Sequence, residues 1–279
     1  MLNQMLNFFI SAFSFPGLSW TLILMAIALS FVFGIIWLTP FWPPLVKKPQ
    51  LWIVSVISAI LTWIAIAFIQ IPLQSWTGQA LFHIWSQSTL TKWILLAAIP
   101  QILLSGLVQE ASKLAPVFLY WRRNKKKFTP RYGLIAGAVA GAGFGIFEAV
   151  WVHNTIFASG WNWHLVGIEG FLALLGFWER FFAVAFHISA SALAGYGLAK
   201  RKGWQFYLIA SFLHGLMNYS IVLLQSNLLT AIQEEIYGAV LTVIIISVVL
   251  WLRWCKTKEI PANNSADVTP DTTPKITLN

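Results

Sequence analysis

Apolar residues run in seven stretches, at about 18–39, 51–71, 93–121, 132–153, 179–199, 204–224 and 235–253, separated by short polar or basic segments. A helix crosses the hydrocarbon of a bilayer with roughly 20 residues at about 1.5 Å each, whereas barrel strands alternate over about ten. The pattern predicts an all-α, polytopic membrane helix bundle of about seven spans, with an amphipathic apolar stretch before the first. The segment from Trp161 to Trp178 is apolar but short. Counting it as a crossing would reverse the alternation of charge beyond it, so it is expected to be interfacial or re-entrant. Residues 1–255 read as one membrane domain without a repeat of fixed period. Residues 256–279, rich in Thr, Pro, Asn and Asp, read as a disordered cytoplasmic tail.

Composition agrees: 58% of the residues are hydrophobic and 10% charged, and the sixteen tryptophans include many near the ends of the spans, where aromatic rings anchor at the interface. The formal charge of +9 raises nucleic acid as a partner, but the basic residues are gathered at the ends of the odd spans. Lys47 and Lys48 follow the first, Arg122 through Arg131 with Lys125, Lys126 and Lys127 the third, Lys200, Arg201 and Lys202 the fifth, and Arg253, Lys256 and Lys258 the last. Only Lys92 and Arg180 lie near the opposite ends. The positive-inside rule then puts the amino terminus outside and the carboxyl terminus in the cytoplasm, with lipid headgroups as the partners of the charge and no nucleic acid. The lone Cys255 permits no intrachain disulfide. With no basic leader or small-residue cleavage site ahead of it, the first span is expected to serve as the insertion signal.

Against this background the polar residues inside spans are few. Each ionisable side chain costs roughly 2.5–3.5 kcal/mol on insertion scales, so such residues face a cavity or one another and often mark function. Span three carries Gln109, Glu110 and Lys113; span four Glu148; span five Arg180, His187 and Ser191; span six His214 and Asn218. Glu110, His187 and His214 lie 12, 13 and 12 residues from the basic ends of their helices, so all three sit about 18–20 Å deep. Glu148 and Asn218 fall about 4–8 Å nearer the outer side. Facing agrees with depth. Glu110 shares a face with Lys113 and His214 with Asn218; Arg180, Val184, His187, Ser191 and Gly195 form one stripe; and Gly137, Gly141, Gly145 and Glu148 form another, whose small residues permit close helix approach. Four polar faces can line one interior cavity.

These residues occur in the strings QEASK at 109–113, GFGIFEA at 143–149, ERFFAVAFHISAS at 179–191 and HGLMN at 214–218. In order and spacing, over roughly 105–222, the pattern resembles the superfamily of intramembrane glutamic proteases that contains the PrsW-type and YhfC-type families, the CAAX prenyl proteases and bacteriocin-processing relatives. It is similar to that superfamily's EExxK or EExxR motif, its FxxxE or FxxxH motif and its HxxxN motif. Gln109 stands where the first glutamate is expected, so a pair of carboxylates becomes one carboxylate and one amide; Ala149 follows Glu148 where a PrsW-like asparagine is expected.

The resemblance implies a membrane-embedded endopeptidase, in a bacterial plasma membrane, with a protease-like core at about 93–224 and a membrane protein or peptide as substrate. In that setting Glu110 is expected to be the general base, tuned by Lys113. Glu148 and His187 hold the water or shuttle its proton, and His214 and Asn218 polarise the scissile carbonyl, with Gln109 and Arg180 in support. No cofactor is expected: glutamate and histidine can bind zinc, but no HExxH is present and the histidines lie on separate helices. Structural readings stand beside these. Glu110–Lys113 and Glu148–Arg180 can be ion pairs, His187 and His214–Asn218 interhelical hydrogen-bonders, and Ser191 a packing residue. Glu234 and Glu235 suit a helix N-terminus; His83, His153, His164 and Glu169 are expected to be solvated or interfacial. The alternatives in function are a catalytically inactive scaffold or partner-binding protein that keeps the fold, or a transporter, although no broken helices recur at matching positions as in transporters.

Overall fold

The computed structural model describes residues 1–42, 44–124 and 128–256; Lys125, Lys126, Lys127, Lys258 and the expected tail from 257 onward lie outside them. Among the described residues all regular structure is helical. In chain order the helices are α1 (Leu2–Ser11), α2 (Trp20–Leu38), α3 (Pro44–Lys47), α4 (Gln50–Ala65), α5 (Ile71–Ile84), α6 (Gln87–Lys92) and α7 (Ile94–Ala97). There follow α8 (Ile99–Arg123), α9 (Pro130–Ala158), α10 (Trp163–Glu169), α11 (Leu175–Ala199), α12 (Gly203–Gln225) and α13 (Ala231–Trp251). Among the described residues seven helical segments are long and apolar enough to cross a membrane, as the sequence pattern predicts: Trp20–Phe41, Gln50–Ile84, Ile94–Arg123, Pro130–Ala158, Trp163–Ala199, Gly203–Gln225 and Ala231–Cys255. The protein is an integral, multi-pass membrane protein.

Helix starts follow local chemistry. Ser19 caps α2 by accepting from the Leu22 N–H, Thr129 caps α9 ahead of Pro130 at its first position, and Thr230 with Gln233 closes a capping box on α13. The second crossing differs from the expected 51–71. Its helix continues to Ile84 through a π-helical stretch, Ile66–Gln70, that joins α4 to α5. Pro72, just beyond, has no N–H to return to the carbonyl of Phe68, and the ladder shifts register there instead of ending. The Trp161–Trp178 region forms α10 and a 3-10 stretch, Gly170–Leu174, with no buried residue in either, and runs into the fifth crossing rather than making one of its own.

The centre of the bundle is α9, where 72% of the most apolar window is buried, against 22–44% for the other crossings. Its glycines allow this. A Cβ at Gly141 would collide with the carbonyl oxygen of His187 in α11, and one at Gly143 with that of Ser55 in α4. A similar close approach occurs where Gly106 of α8 meets the Ser211 carbonyl of α12. Residues such as Phe31, Ile53, Ile57, Ile244 and Val248 point outward and are exposed, an apolar exterior suited to lipid. The expectation for His153 is corrected here: it is fully buried, its Nδ1 is 2.9 Å from Ser30 Oγ, and its ring stacks on Phe177. The C-terminal part of α9 is enclosed by α2 and α11, so its nearness to the loop that follows does not bring it to water.

Candidate functional site

The close crossings carry polar side chains into one place. Gly106 lies one turn before Glu110 on α8, and Gly215 follows His214 on α12, so the contact that draws these helices together also brings the carboxylate to the imidazole. His214 Nδ1 is 2.7 Å from Glu110 Oε1. On α11, whose backbone at His187 rests against Gly141, the His187 ring reaches the same centre. Lys113 Nζ is 2.5 Å from Glu110 Oε1 and 2.9 Å from His187 Nδ1. Glu110, Lys113, His187 and His214 are all buried, at 1%, 0%, 4% and 3% exposure. Ser191, one turn beyond His187, donates to Glu110 Oε2 over 3.5 Å. Phe144 and Phe186 close the centre edge-on against His187 and His214 respectively.

An ammonium group only donates, so His187 Nδ1 accepts from Lys113 and the ring hydrogen lies on Nε2. That Nε2–H donates to Glu148 Oε2 over 3.0 Å, and Arg180 Nη1 donates to the same oxygen over 2.9 Å. Arg180 is also bound by Glu179, a residue that sequence reasoning did not single out. Glu148 Oε1 has no hydrogen bond among the described residues, and Glu148 borders a cleft of about 490 Å³. The same cleft is bordered by Gln109 and Asn218.

These two form a separate polar layer, with no hydrogen bond to the Glu110 centre among the described residues. Gln109 Nε2 donates to Ser105 Oγ (3.2 Å) and to Gln70 Oε1 (3.1 Å), and Asn218 Nδ2 donates to the same Ser105 hydroxyl (3.0 Å). Sequence reasoning missed Gln70 and Ser105. Ser105 stands one turn from Gln109 on its own face, a detectable signal; Gln70 owes its inward position to the π-helical stretch, which the apolar pattern does not announce. Glu234 bonds the hydroxyl of Ser220 near the start of α13.

The donor set at the centre fits a divalent metal. One ligand atom each from Glu110, His187 and His214 lies within 4.8 Å of the others, on three helices and in a buried setting, and two histidines with one glutamate are a familiar catalytic zinc ligation. That Lys113 Nζ already bridges Glu110 and His187 indicates that the donors converge on a locus for a cation.

No curated protein and no solved structure matches the chain. A family model described as "PrsW family intramembrane metalloprotease" matches residues 47–252. This overturns the expectation of no cofactor. That expectation took the separation of the histidines along the sequence for separation in space, whereas the helix crossings bring them together with Glu110. With well over half of its length inside the match, the chain belongs to the PrsW family of intramembrane metalloproteases and is a membrane-embedded protease.

Proposed function

We propose that the protein is an endopeptidase that hydrolyses a peptide bond of a membrane-inserted protein or peptide, with Glu110, His187 and His214 holding a divalent metal such as zinc and Glu148 acting as general base. The observation that carries this reading is the convergence of those three ligand atoms within 4.8 Å, one imidazole away from a carboxylate that opens onto a cleft. When bound, such a metal polarises the scissile carbonyl and lowers the pKa of a water molecule.

The chain's own residues supply the rest. The base moves from Glu110, expected from sequence, to Glu148, because Glu110 is sealed at 1% exposure among Lys113, His214 and Ser191, whereas Glu148 reaches the cleft. Arg180 and His187 hold Glu148 through Oε2, which leaves Oε1 to accept the proton of the attacking water. As the water oxygen bonds to the carbonyl carbon, Glu148 passes that proton to the leaving nitrogen and the C–N bond breaks. His187, donating from Nε2 to a carboxylate, is oriented as metal-bound histidines commonly are. Lys113, on Glu110 and His187 at once, is the group that gives way to the metal. Asn218, on the cleft wall, is placed to hold the substrate carbonyl. The basic ends at Arg122, Arg123, Lys200, Arg201 and Lys202 support an amino terminus outside a bacterial plasma membrane and a cytoplasmic carboxyl terminus.

The test is to map new protein termini in membranes of cells expressing the parent chain or its Glu110→Gln, His214→Ala or Glu148→Gln variants at equal insertion. Membrane-protein fragments that appear with the parent alone, vanish with chelator and return with zinc are expected. Fragments unchanged in all three variants would end the reading.

A further inference from the structure

Amide side chains from three crossings line the cleft beside Glu148: Gln70 and Gln74 from the second, Gln101 and Gln109 from α8, Asn218 from α12. Three of them, Gln109, Gln70 and Gln74, form a directional relay that runs to the main-chain carbonyl of Gln101. Gln74 Nε2 donates to the Gln101 carbonyl (2.9 Å), Gln70 Nε2 to Gln74 Oε1 (3.4 Å) and Gln109 Nε2 to Gln70 Oε1 (3.1 Å). The relay ends on Gln109 Oε1, a buried acceptor with no hydrogen-bond partner among the described residues. Gln109 itself is 6% exposed and adjoins Glu110.

An unpaired buried amide oxygen is costly, more so at membrane depth, unless an occupant supplies a donor. A water-soluble ligand does not explain a row of amides within the lipid's thickness. A transmembrane substrate does, but only once unwound: an intact helix satisfies its own backbone, whereas an opened segment presents alternating N–H and C=O groups that must be paired. Primary amides carry both a donor and an acceptor and suit such a strand. Trp63 and Trp151, which line the same cleft, can take its side chains.

We propose that this amide-lined cleft is the substrate subsite, and that it binds one unwound, extended backbone segment of a membrane-spanning peptide, with Gln109 Oε1 accepting a substrate N–H beside the scissile bond. The inference rests on hydrolysis at the neighbouring Glu110–His187–His214 centre. It also gives Gln109 a reason to be an amide: a carboxylate there has no N–H to donate to Gln70.

The test uses the full chain in liposomes, carrying Glu110→Gln to prevent turnover and a photo-crosslinking phenylalanine analogue at Ile102, which borders the cleft. Two synthetic Leu/Ala-rich membrane peptides of about 20 residues are compared, one with a central Gly-Gly-Ser-Gly break and one continuous. The broken peptide is expected to give the adduct. Its yield should fall about threefold to tenfold with Gln74→Leu, or with one amide-to-ester replacement that removes an N–H from the peptide and leaves the protein without further change. Equal labelling of both peptides, no labelling of either, or indifference to both the Gln74 and the ester change overturns the proposal. Crosslinking needs no catalysis. Loss of the adduct while the parent's cleavage still depends on Glu110 defeats the subsite alone; a retained adduct with cleavage independent of Glu110 defeats the catalytic reading alone.

Discussion

Lys113 Nζ lies 2.9 Å from His187 Nδ1, and so occupies the one nitrogen of that ring able to accept. The same ammonium pairs with Glu110 at 2.5 Å in a fully buried setting. In the proposed metal site lysine and metal would compete for the same two ligands, with the lysine as the counter-charge when the metal is away.

Replacing Lys113 with methionine should thus act unequally on the two forms. In the metal-free protein it leaves a buried carboxylate without its cation, a loss of about 3–5 kcal/mol. In the metal-loaded protein most of that penalty disappears. The stabilisation that zinc confers should then exceed the parent's by about 2 kcal/mol or more. Thermal unfolding in detergent, with and without added zinc, checks this; an equal zinc-induced gain in both proteins counts against Lys113 as competitor.

Glu148 separates proton transfer from metal holding. Its contact with the centre runs through His187 Nε2, and Arg180 anchors the same oxygen. Glu148→Gln retains an oxygen for both partners but cannot take a proton. Turnover of a membrane substrate should fall about 10²- to 10⁴-fold, with zinc content within about tenfold of the parent's, as for a partner outside the ligand set. Complete loss of zinc from this variant would make Glu148 a ligand instead.

How far the sequence reaches is clear from individual residues. Counting residues from the basic ends put Glu110, His187 and His214 at one depth, and the structure brings them together, because α-helical rise is nearly constant and a four-residue glycine stripe is a reliable sign of close packing. The same method fails where the helix departs from regularity. Gln70 turns inward on a π-helical stretch, and without it Gln109 looked like a defective carboxylate rather than a link in an amide network. The candidate metal-ligating group is hidden from the sequence for a related reason: spacing along a chain reveals ligands on one helix, not donors brought together from three.

The glycine stripe on α9 can be tested at two positions that differ in clearance. At Gly141 an added methyl meets the backbone of His187 and Ile188, which cannot turn aside. At Gly145 the nearest atoms are His187 Cβ and Val184 Cα, both at 3.3 Å, a contact that a small shift relieves. Gly141→Ala should cost about 1–3 kcal/mol and displace the imidazole from the centre, with a loss of at least tenfold in zinc affinity. Gly145→Ala should keep zinc within about threefold of the parent, since its strain falls well short of that range. Zinc titrations of the two purified variants decide, and equal effects would deny α11 its dependence on Gly141.

His153 offers a contrast, a buried histidine outside the centre. Its Nδ1 meets Ser30, its Nε2 has no partner among the described residues, and the ring is held between aromatic neighbours, stacked on Phe177 and edge-on to Phe33. Such a group is held by packing and carries an unpaired nitrogen. Phenylalanine has nearly the same shape and no nitrogen to satisfy, and Ser30 keeps its bond to the Ala26 carbonyl when the ring changes. His153→Phe should therefore be neutral or stabilising by up to about 2 kcal/mol, with zinc binding and turnover unaltered. Ser30→Ala removes the one hydrogen-bond partner that the buried imidazole has among the described residues and should destabilise by about 1–3 kcal/mol, again without effect on turnover. Melting temperatures and initial rates of both variants check the pair. A drop in rate with His153→Phe at unchanged stability would mean that the chemistry extends along α9 beyond Glu148.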